Sequence, residues 1–388
     1  MRGRNQCSRT VGTLYSVPQL GHDEAAKAGE RLVINTIKPV ILTVLWLIAL
    51  TRPLSTWAEM PACEASGGHT PVCGFSAPED IVVGPQGYLL IGQMAPPGGL
   101  RWLDPASLRS EALPLLPPVA DGSPWGQADC ARPPADTVIH GLDLSLRADG
   151  RWQLLAVNHG SREAIEFYEL QGARADLTAV WRGCARAPQD VGFNDVAALP
   201  GGGFLATNMA PPDSTLWPAL LGLVGFATGE VWHWSAEGGF TALAETRGRF
   251  PNGIVLAPGG DSFYVNMYLG NRVQHFSWPG LELLGEVSVK HPDNSSWASD
   301  GSLLVASQHA NILDLAGSLG QPHDQPSFLP YSIVRIDPVA MEVSELFFHE
   351  GPPMGAGTVA VELGSDLWVG SYVGDRVVRV PLQESAPR

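Results

Sequence analysis

The feature of this sequence that most constrains its fold is a phrase that recurs six times. In each copy, a stretch rich in Val, Leu, Ile or Phe runs into a turn containing Gly, Asp, Pro or Ser, and a second such stretch follows. This pattern is typical of a β-hairpin. The copies span residues 81–92, 142–158, 196–208, 254–266, 295–307 and 359–371.

Repeated hairpins predict a ring. A sheet of this size cannot bury both of its faces alone, whereas six of them closed into a ring can. Several copies are followed by a third strand-like run, at 164–170, 271–278 and 375–382. We therefore predict an all-β chain that folds as a six-bladed β-propeller. A β-sandwich or a pair of small β domains is the alternative, but no Pro- or Ser-rich linker separates the copies.

One segment does not follow the repeat. Residues 211–235 are rich in Trp and Leu. They could form a lid, a hairpin that touches a membrane, or a long connection within a blade, and we favour the connection.

Polar pairs stand in front of five of the hairpins. The innermost strands of a propeller line its tunnel, so their first residues meet at one mouth. Carboxylate and carboxamide oxygens are the ligands that calcium prefers. One such pair alone is usually a turn or a cap, but five in register predict a calcium-binding tunnel. The pairs are Glu79-Asp80, His140-Gly141, Asn194-Asp195, Asn252-Gly253 and Asp293-Asn294.

Two histidines bracket the second hairpin. If residues 142–157 form a hairpin, His140 and His159 return to the same end of the blade. Two imidazoles in contact can act as a base and its helper, although a lone His is more often a core residue. His309 ends the fifth hairpin and is either a residue of the mouth or a polar loop residue.

Several function classes are disfavoured. The chain has no GxSxG, HExxH, P-loop or GxGxxG motif in a suitable context, which argues against a serine α/β-hydrolase, a zincin and a dinucleotide enzyme. Its formal net charge is −15, and an acidic surface repels the phosphates of nucleic acids.

The N-terminus is predicted to lie outside the propeller. Residues 39–50 have the length of a signal-peptide core, too short to span a bilayer unaided. We interpret 33–58 as a signal peptide or an uncleaved anchor that could contact the membrane, 1–32 as a mis-assigned extension, and 59–388 as the propeller. The protein would then be exported, to the periplasm or the medium, or be membrane-anchored. A buried core segment is the alternative.

Four cysteines remain in the predicted propeller. An even number in an exported protein favours disulfides over free buried thiols. We favour Cys63–Cys73, which closes a short loop before the first strand, and Cys130–Cys184. No CxxC pair is present, which argues against a zinc cage.

Taken together, these phrases resemble the paraoxonase/arylesterase family, which is related to the SMP-30/gluconolactonase and strictosidine-synthase-like propellers. The combination is more specific than any single phrase. The phrases are PEDIVV (78–83), IHGLDL (139–144), LLAVNHGSREAIEFYEL (154–170), FNDVAAL (193–199), FPNGIVLAPGGDSFYV (250–265) and HPDNSSWASDGSLLVAS (291–307).

The resemblance implies two calcium ions and a set of site residues. It implies a catalytic calcium on Glu79, Asn194, Asn252, Asp293 and Asn294, and a structural calcium near Asp80, Asp195 and Leu142. His140 and His159 match the family's histidine dyad, Phe250 an aromatic pocket wall and His309 a residue at the pocket rim.

The sequence also departs from the family. No cysteine follows Cys184, so the family's bridge to the chain end is absent and ring closure must rest on strand pairing. The pocket residues Gln93-Met94-Ala95-Pro96 and the segment 211–235 differ, which leaves the substrate open.

We therefore predict a calcium-dependent hydrolase of lactones or aryl esters, with a phosphotriester as a further candidate substrate. A non-enzymatic, exported, calcium-stabilised binding module is the alternative. A strictosidine-synthase-like condensing enzyme is a third interpretation, against which the ligand set argues.

Overall fold

The computed structural model describes residues 62–118, 124–173, 176–212, 216–311, 314 and 322–382. The predicted extension at 1–32 and leader at 33–58 lie outside these residues. Within the described part of the chain, no helix is both long and apolar enough to cross a membrane.

The described residues form a six-bladed β-propeller, as predicted. Blade 1 contains β2 (Pro78–Val83), β3 (Leu89–Gln93), β4 (Leu100–Leu103) and β5 (Ser110–Ala112). Blade 2 contains β6 (Leu115–Leu116), β7 (Ile139–Leu146), β8 (Trp152–Asn158), β9 (Ala164–Gln171) and β10 (Thr178–Arg186). Blade 3 contains β11 (Gly192–Ala198), β12 (Phe204–Ala210), β13 (Gly229–Ser235) and β14 (Gly239–Gly248). Blade 4 contains β15 (Pro251–Leu256), β16 (Ser262–Met267), β17 (Arg272–Ser277) and β18 (Leu283–Ser288). Blade 5 contains β19 (Pro292–Trp297), β20 (Leu303–Gln308), β21 (Tyr331–Ile336) and β22 (Val343–His349). Blade 6 contains β1 (Thr70–Cys73), β23 (Gly357–Leu363), β24 (Asp366–Ser371) and β25 (Arg376–Pro381).

All six sequence hairpins become the two inner strands of a blade. They could be recognised because the second strand is buried on both faces. Every residue of β16 and β20 is buried, whereas exposed and half-buried residues alternate along the outer strand β18. Apolar clusters fill the space between neighbouring blades; one joins Leu205 of blade 3 to Ile254 and Phe263 of blade 4. Burial of these faces holds the ring together.

Each innermost strand loses register with its partner near its start. The breaks fall between Pro78 and Ile81, Ile139 and Leu142, Phe193 and Val196, Pro251 and Ile254, Pro292 and Ser295, and Gly357 and Val359. A bulge frees its residues from the ladder and re-aims their side chains. In five blades, the freed residues are the polar pairs singled out in the sequence.

Two of these bulges require glycine. A Cβ on Gly253 would stand 2.5 Å from the backbone oxygen of Asp293 in the next blade. A Cβ on Gly141 would collide with the side chain of Asp195. The second residue of these pairs is therefore small because the neighbouring bulge approaches closely.

Strand pairing closes the ring, as the missing C-terminal cysteine suggested. β1 pairs antiparallel with β25, and Val72 lies opposite Val377. The structure also contains both predicted disulfides, Cys63–Cys73 and Cys130–Cys184.

The last part of the segment 211–235 is a blade strand, so the predicted C-terminal boundary of this connection was wrong. Gly229–Ser235 is β13, and Trp234 is buried against Phe167 and Phe204. The connection between β12 and β13 carries one short apolar helix, α1 (Leu216–Leu223). The favoured interpretation as a long connection is correct for the residues before β13.

Candidate metal centre and active site

A cavity of about 440 Å³ lies over the bulges of the inner strands. Its polar lining includes Glu79, His140, His159, Glu163, Asn194, Asn252 and Asp293. Its apolar lining includes Met94, Phe193, Met209, Ala219, Phe250 and Leu269. The inner strands thus bring most of the predicted site residues to one chamber.

Local backbone structure places the predicted aromatic wall. Phe250 stands just before β15 with φ of +60°, a conformation that costs a bulky residue about 1–3 kcal/mol. The Thr228 hydroxyl accepts a hydrogen bond from the backbone N–H of Phe250, and the Phe250 carbonyl accepts one from the N–H of Tyr268. These two bonds hold the ring against the cavity.

His309 lies elsewhere. It is not among the described residues that line the cavity. Its Nε2 is 2.9 Å from the Ser332 hydroxyl, and its ring packs edge-on against Phe348. The structure therefore groups it with blade 5 rather than with the other candidates.

Four of the predicted ligands share an unusual property. Each has a buried oxygen that finds no hydrogen-bond partner among the described residues, which is costly unless something else binds it. The nitrogen of Asn294 donates to Glu79 Oε1 at 2.9 Å, which orients two of the four unpaired oxygens. The four oxygens are Glu79 Oε2, Asn194 Oδ1, Asn252 Oδ1 and Asn294 Oδ1.

The fifth predicted ligand is held by polar neighbours. Asp293 Oδ2 accepts a hydrogen bond of 2.5 Å from Gln308 Nε2, and Gln308 Oε1 accepts one of 2.7 Å from the Tyr268 hydroxyl. Tyr268 and Gln308 line the cavity and were not predicted. Tyr268 directly follows β16 and Gln308 ends β20, so both lie just beyond the hairpin phrases recognised in the sequence.

The carboxyl groups in the tunnel lie in a buried, acidic environment that disfavours their charged forms. Burial raises the pKa of Glu79 well above its usual value, and Asp80, Asp293 and Asp195 raise it further. Burial likewise raises the pKa of Asp293 well above its usual value. No Lys or Arg is among the described residues that line the cavity. A cation would relieve this repulsion.

The predicted ligands are carboxylate and carboxamide oxygens, which fit a cation that prefers oxygen ligands. They do not form the cluster of acidic, imidazole or thiol groups that holds many other metals. Among the described residues, no group of three or more His, Cys, Asp or Glu side chains is arranged to hold a metal ion. The predicted set has two carboxylates and three carboxamides. Neutral and charged oxygens together suit calcium.

The two deeper aspartates have backbone partners. Asp80 accepts N–H groups from Ile81 at 2.8 Å and from Leu142, in the next blade, at 2.7 Å. Asp195 does the same with Val196 and Ile254, both at 2.8 Å. These carboxylates join neighbouring blades, and the structural calcium expected beside them stays a prediction.

The predicted histidine pair is in contact. His140 Nδ1 lies 3.0 Å from His159 Nε2, and His140 Nε2 lies 3.2 Å from Asn194 Nδ2. Burial and the neighbouring His159 lower the pKa of His140 well below its usual value. The lowered pKa favours the neutral imidazole, and its Nε2 lies beside two of the predicted ligands, Asn194 and Glu79.

Glu163 was missed by the sequence analysis. Its carboxylate lies 2.8 Å from His159 Nδ1. It occupies the turn between β8 and β9, in a run of polar residues that would ordinarily be solvated. The spacing of four residues from His159 was the one available signal.

Comparisons with known proteins show a similarity of fold to solved structures. The chain matches no protein-family profile and no curated protein. A luciferin-regenerating enzyme is 14% identical, with a TM-score of 0.51 over 81% of this chain and 99% of its own. A gluconolactonase from Xanthomonas campestris is 15% identical, with a TM-score of 0.49 over 86% and 99%. A calcium-binding regucalcin from Agrobacterium tumefaciens is 14% identical, with a TM-score of 0.45 over 80% and 90%.

The first of these likenesses supports the propeller fold, and identities this low support nothing beyond the fold. None of the three is a paraoxonase, so that narrower resemblance stays a prediction.

Proposed function

We propose that the protein is a calcium-dependent hydrolase of esters or lactones. The observation that carries the proposal is a set of four buried, unpaired oxygens, three of them on residues that line a largely apolar chamber together with the imidazole of His140. One calcium ion would be held by Glu79, Asn194, Asn252, Asp293 and Asn294. When bound, it would supply positive charge that stabilises an oxyanion.

His140 is the proposed base. Its Nε2 lies 3.7 Å from Glu79 Oε1 and close to Asn194, so a water molecule activated by this nitrogen would be adjacent to the proposed ligands. His159 contacts the other ring nitrogen. The proton leaves the water as its oxygen attacks the carbonyl carbon, and His140 Nε2 takes it up. The acyl C–O bond to the leaving oxygen then breaks, and the proton passes from His140 to that oxygen.

The chamber favours neutral substrates with an apolar acyl part. Phe193, Phe250 and Leu269 supply apolar contacts. The lining carboxylates disfavour an anionic substrate, and apart from the proposed calcium ion the described lining has no Lys or Arg to bind one. An aliphatic lactone is the first candidate and an aryl ester the second.

A direct assay tests the proposal. Hydrolysis of an aliphatic lactone and of phenyl acetate is measured with the full-length protein, in calcium and in chelator. We expect turnover that requires calcium and that His140→Gln abolishes without loss of melting temperature. If neither substrate turns over while calcium still raises the melting temperature, the protein is instead a calcium-stabilised binding module.

The disulfides indicate the compartment. Two bridges, at Cys63–Cys73 and Cys130–Cys184, are typical of an oxidising environment. We propose that the protein is exported, with residues 33–58 as its leader or membrane anchor.

A further inference from the structure

A line of hydrogen bonds runs from the cavity floor to the turn between β8 and β9. Asn194 Nδ2 lies 3.2 Å from His140 Nε2. His140 Nδ1 lies 3.0 Å from His159 Nε2. His159 Nδ1 lies 2.8 and 3.0 Å from the two oxygens of Glu163. Each ring nitrogen of both histidines therefore has one partner.

The last member of this line determines its direction. A carboxylate can only accept, and a neutral imidazole has one donor and one acceptor. Glu163 therefore requires a proton on His159 Nδ1, which leaves His159 Nε2 as an acceptor. His140 Nδ1 must then carry its proton, and His140 Nε2 presents its lone pair to the cavity. The Asn194 amide, a donor at this contact, agrees with that assignment.

The surroundings keep Glu163 available for this role. The adjacent Arg162 could neutralise it, but its guanidinium instead binds both oxygens of Glu166, each at 2.7 Å. Glu166 is fully buried and also accepts the Trp181 Nε1–H at 2.8 Å. Because this second carboxylate holds the arginine, His159 has no competitor for Glu163 within the described turn.

The turn itself is anchored at its first residue. Asn158 is fully buried, and its Oδ1 accepts N–H groups from Val138 and Gly160, both at 3.0 Å. The backbone N–H of His159 donates to the Val138 carbonyl at 2.8 Å. These bonds hold the backbone of His159 at the start of the turn that leads to Glu163.

We propose that Glu163 is a positioning residue that selects the tautomers of both histidines and so directs the basic nitrogen of His140 into the cavity. The role rests on the proposed hydrolase function, because it matters only if His140 takes a proton from water. The carboxylate also stabilises the positive charge that the pair acquires in that step.

Ring-nitrogen NMR of the full-length protein tests the inference without reference to activity. In the wild type, we expect both His140 and His159 to carry their proton on Nδ1. Glu163→Leu removes the acceptor, and free imidazole then favours the other tautomer. We expect both rings to invert, which would put a proton on His140 Nε2. Unchanged tautomers in Glu163→Leu would overturn the inference.

Kinetics provide the second readout. We expect Glu163→Leu to lower kcat by about 10–100-fold, the size found for carboxylates that orient metal-bound histidines, with little change in KM. Glu163→Asp keeps an acceptor and should restore part of the rate. The matched control is Glu286→Leu, an exposed residue of β18, which should change neither the tautomers nor the rate.

The two proposals fail in different ways. If the tautomers invert but the wild type hydrolyses nothing, the proposed function is wrong, while the selection of both tautomers by Glu163 stands. If the wild type is active and Glu163→Leu keeps both its kcat and its tautomers, the positioning role is wrong and the proposed function stands.

Discussion

Single side chains in the tunnel destabilise the fold unless the proposed cation is bound. Glu79 is almost fully buried, and its Oε2 has no partner among the described residues. The nearest charges, those of Asp80, Asp195 and Asp293, are of the same sign. Without a cation this carboxyl destabilises the fold, and with one it contributes a charged ligand.

Glu79→Gln should therefore have opposite effects in the two conditions. In chelator, we expect the variant to be more stable than the wild type by about 1–2 kcal/mol, because a buried charge is removed. In calcium, we expect it to be the less stable of the two, because the ion loses a charged ligand. Chemical denaturation with and without calcium measures both. A variant less stable in both conditions would contradict the cation site.

The residues that sequence could identify are those whose position follows from the repeat. Asn194, Asn252 and Asp293 stand at equivalent places before hairpins, and the bulges turn them inward. His309 occupies a similar place after a hairpin, yet Ser332 binds it. Glu163 depends on the conformation of one turn, for which periodicity carries no information.

Among the structural elements, the disulfides should contribute unequally. Their sequence separations are 10 for Cys63–Cys73 and 54 for Cys130–Cys184. Loss of chain entropy in the unfolded state predicts about 3 kcal/mol for the first and about 4 kcal/mol for the second. Urea unfolding of the two paired Cys→Ala variants tests this order. Equal losses of stability would mean that the length of the loop closed in the unfolded chain does not set the contribution of each disulfide.

The strand that closes the ring is preceded by a pH-sensitive contact. The ring of His69 lies 4.3 Å from that of His349, at the end of β22, and 5.8 Å from Phe347. Burial, and then His349, lower the pKa of His69 from 6.5 to about 4. Burial also lowers the pKa of His349, against smaller opposing effects of the Gly351 and Pro352 backbone and of Glu350.

The pKa of His69 is lower in the folded than in the unfolded state. The stabilisation that the neutral ring gives the fold is therefore complete above pH 6.5 and is lost as the pH falls towards 4. Between pH 7 and pH 4.5, we expect the wild type to lose about 1 kcal/mol more stability than His69→Gln does. The difference is small because the ring is half-exposed. Unfolding in urea at both pH values measures it. The control is His323→Gln, an exposed site, and equal acid sensitivity in both variants would count against the contact.

Sequence predicted strands better than connections. Strands such as β16 and β20 are recognisable because burial on both faces demands an uninterrupted apolar run. β13 was assigned to the preceding connection because its Trp residues resembled the apolar segment before it. Only the pairing of Trp234 with Phe204 of β12 distinguishes the two, and that contact is not local in sequence.

For the whole molecule, the seam between β1 and β25 joins the two ends of the propeller. Val72 of β1 is buried against Ile81 of blade 1 and Trp368 of blade 6. We expect Val72→Ala to cost about 1–2 kcal/mol and to speed hydrogen exchange mainly in blades 1 and 6. Val334→Ala, equally buried in blade 5, is the control and should act on blade 5. Uniform exchange in both variants would show that the ring opens as one unit.

The bulges also bear on how such a protein could change over evolutionary time. In each inner strand, paired residues on both sides of the bulge form the ladder, and the freed residues contribute nothing to it. The first freed residue of a bulge can therefore change while the scaffold stays intact, whereas the second is constrained by the next blade, as at Gly253 and Asp195. The sixth bulge already illustrates this freedom: Thr358 stands there, and its hydroxyl donates to the Glu79 carbonyl at 2.6 Å, where the other blades carry carboxylates, carboxamides or an imidazole.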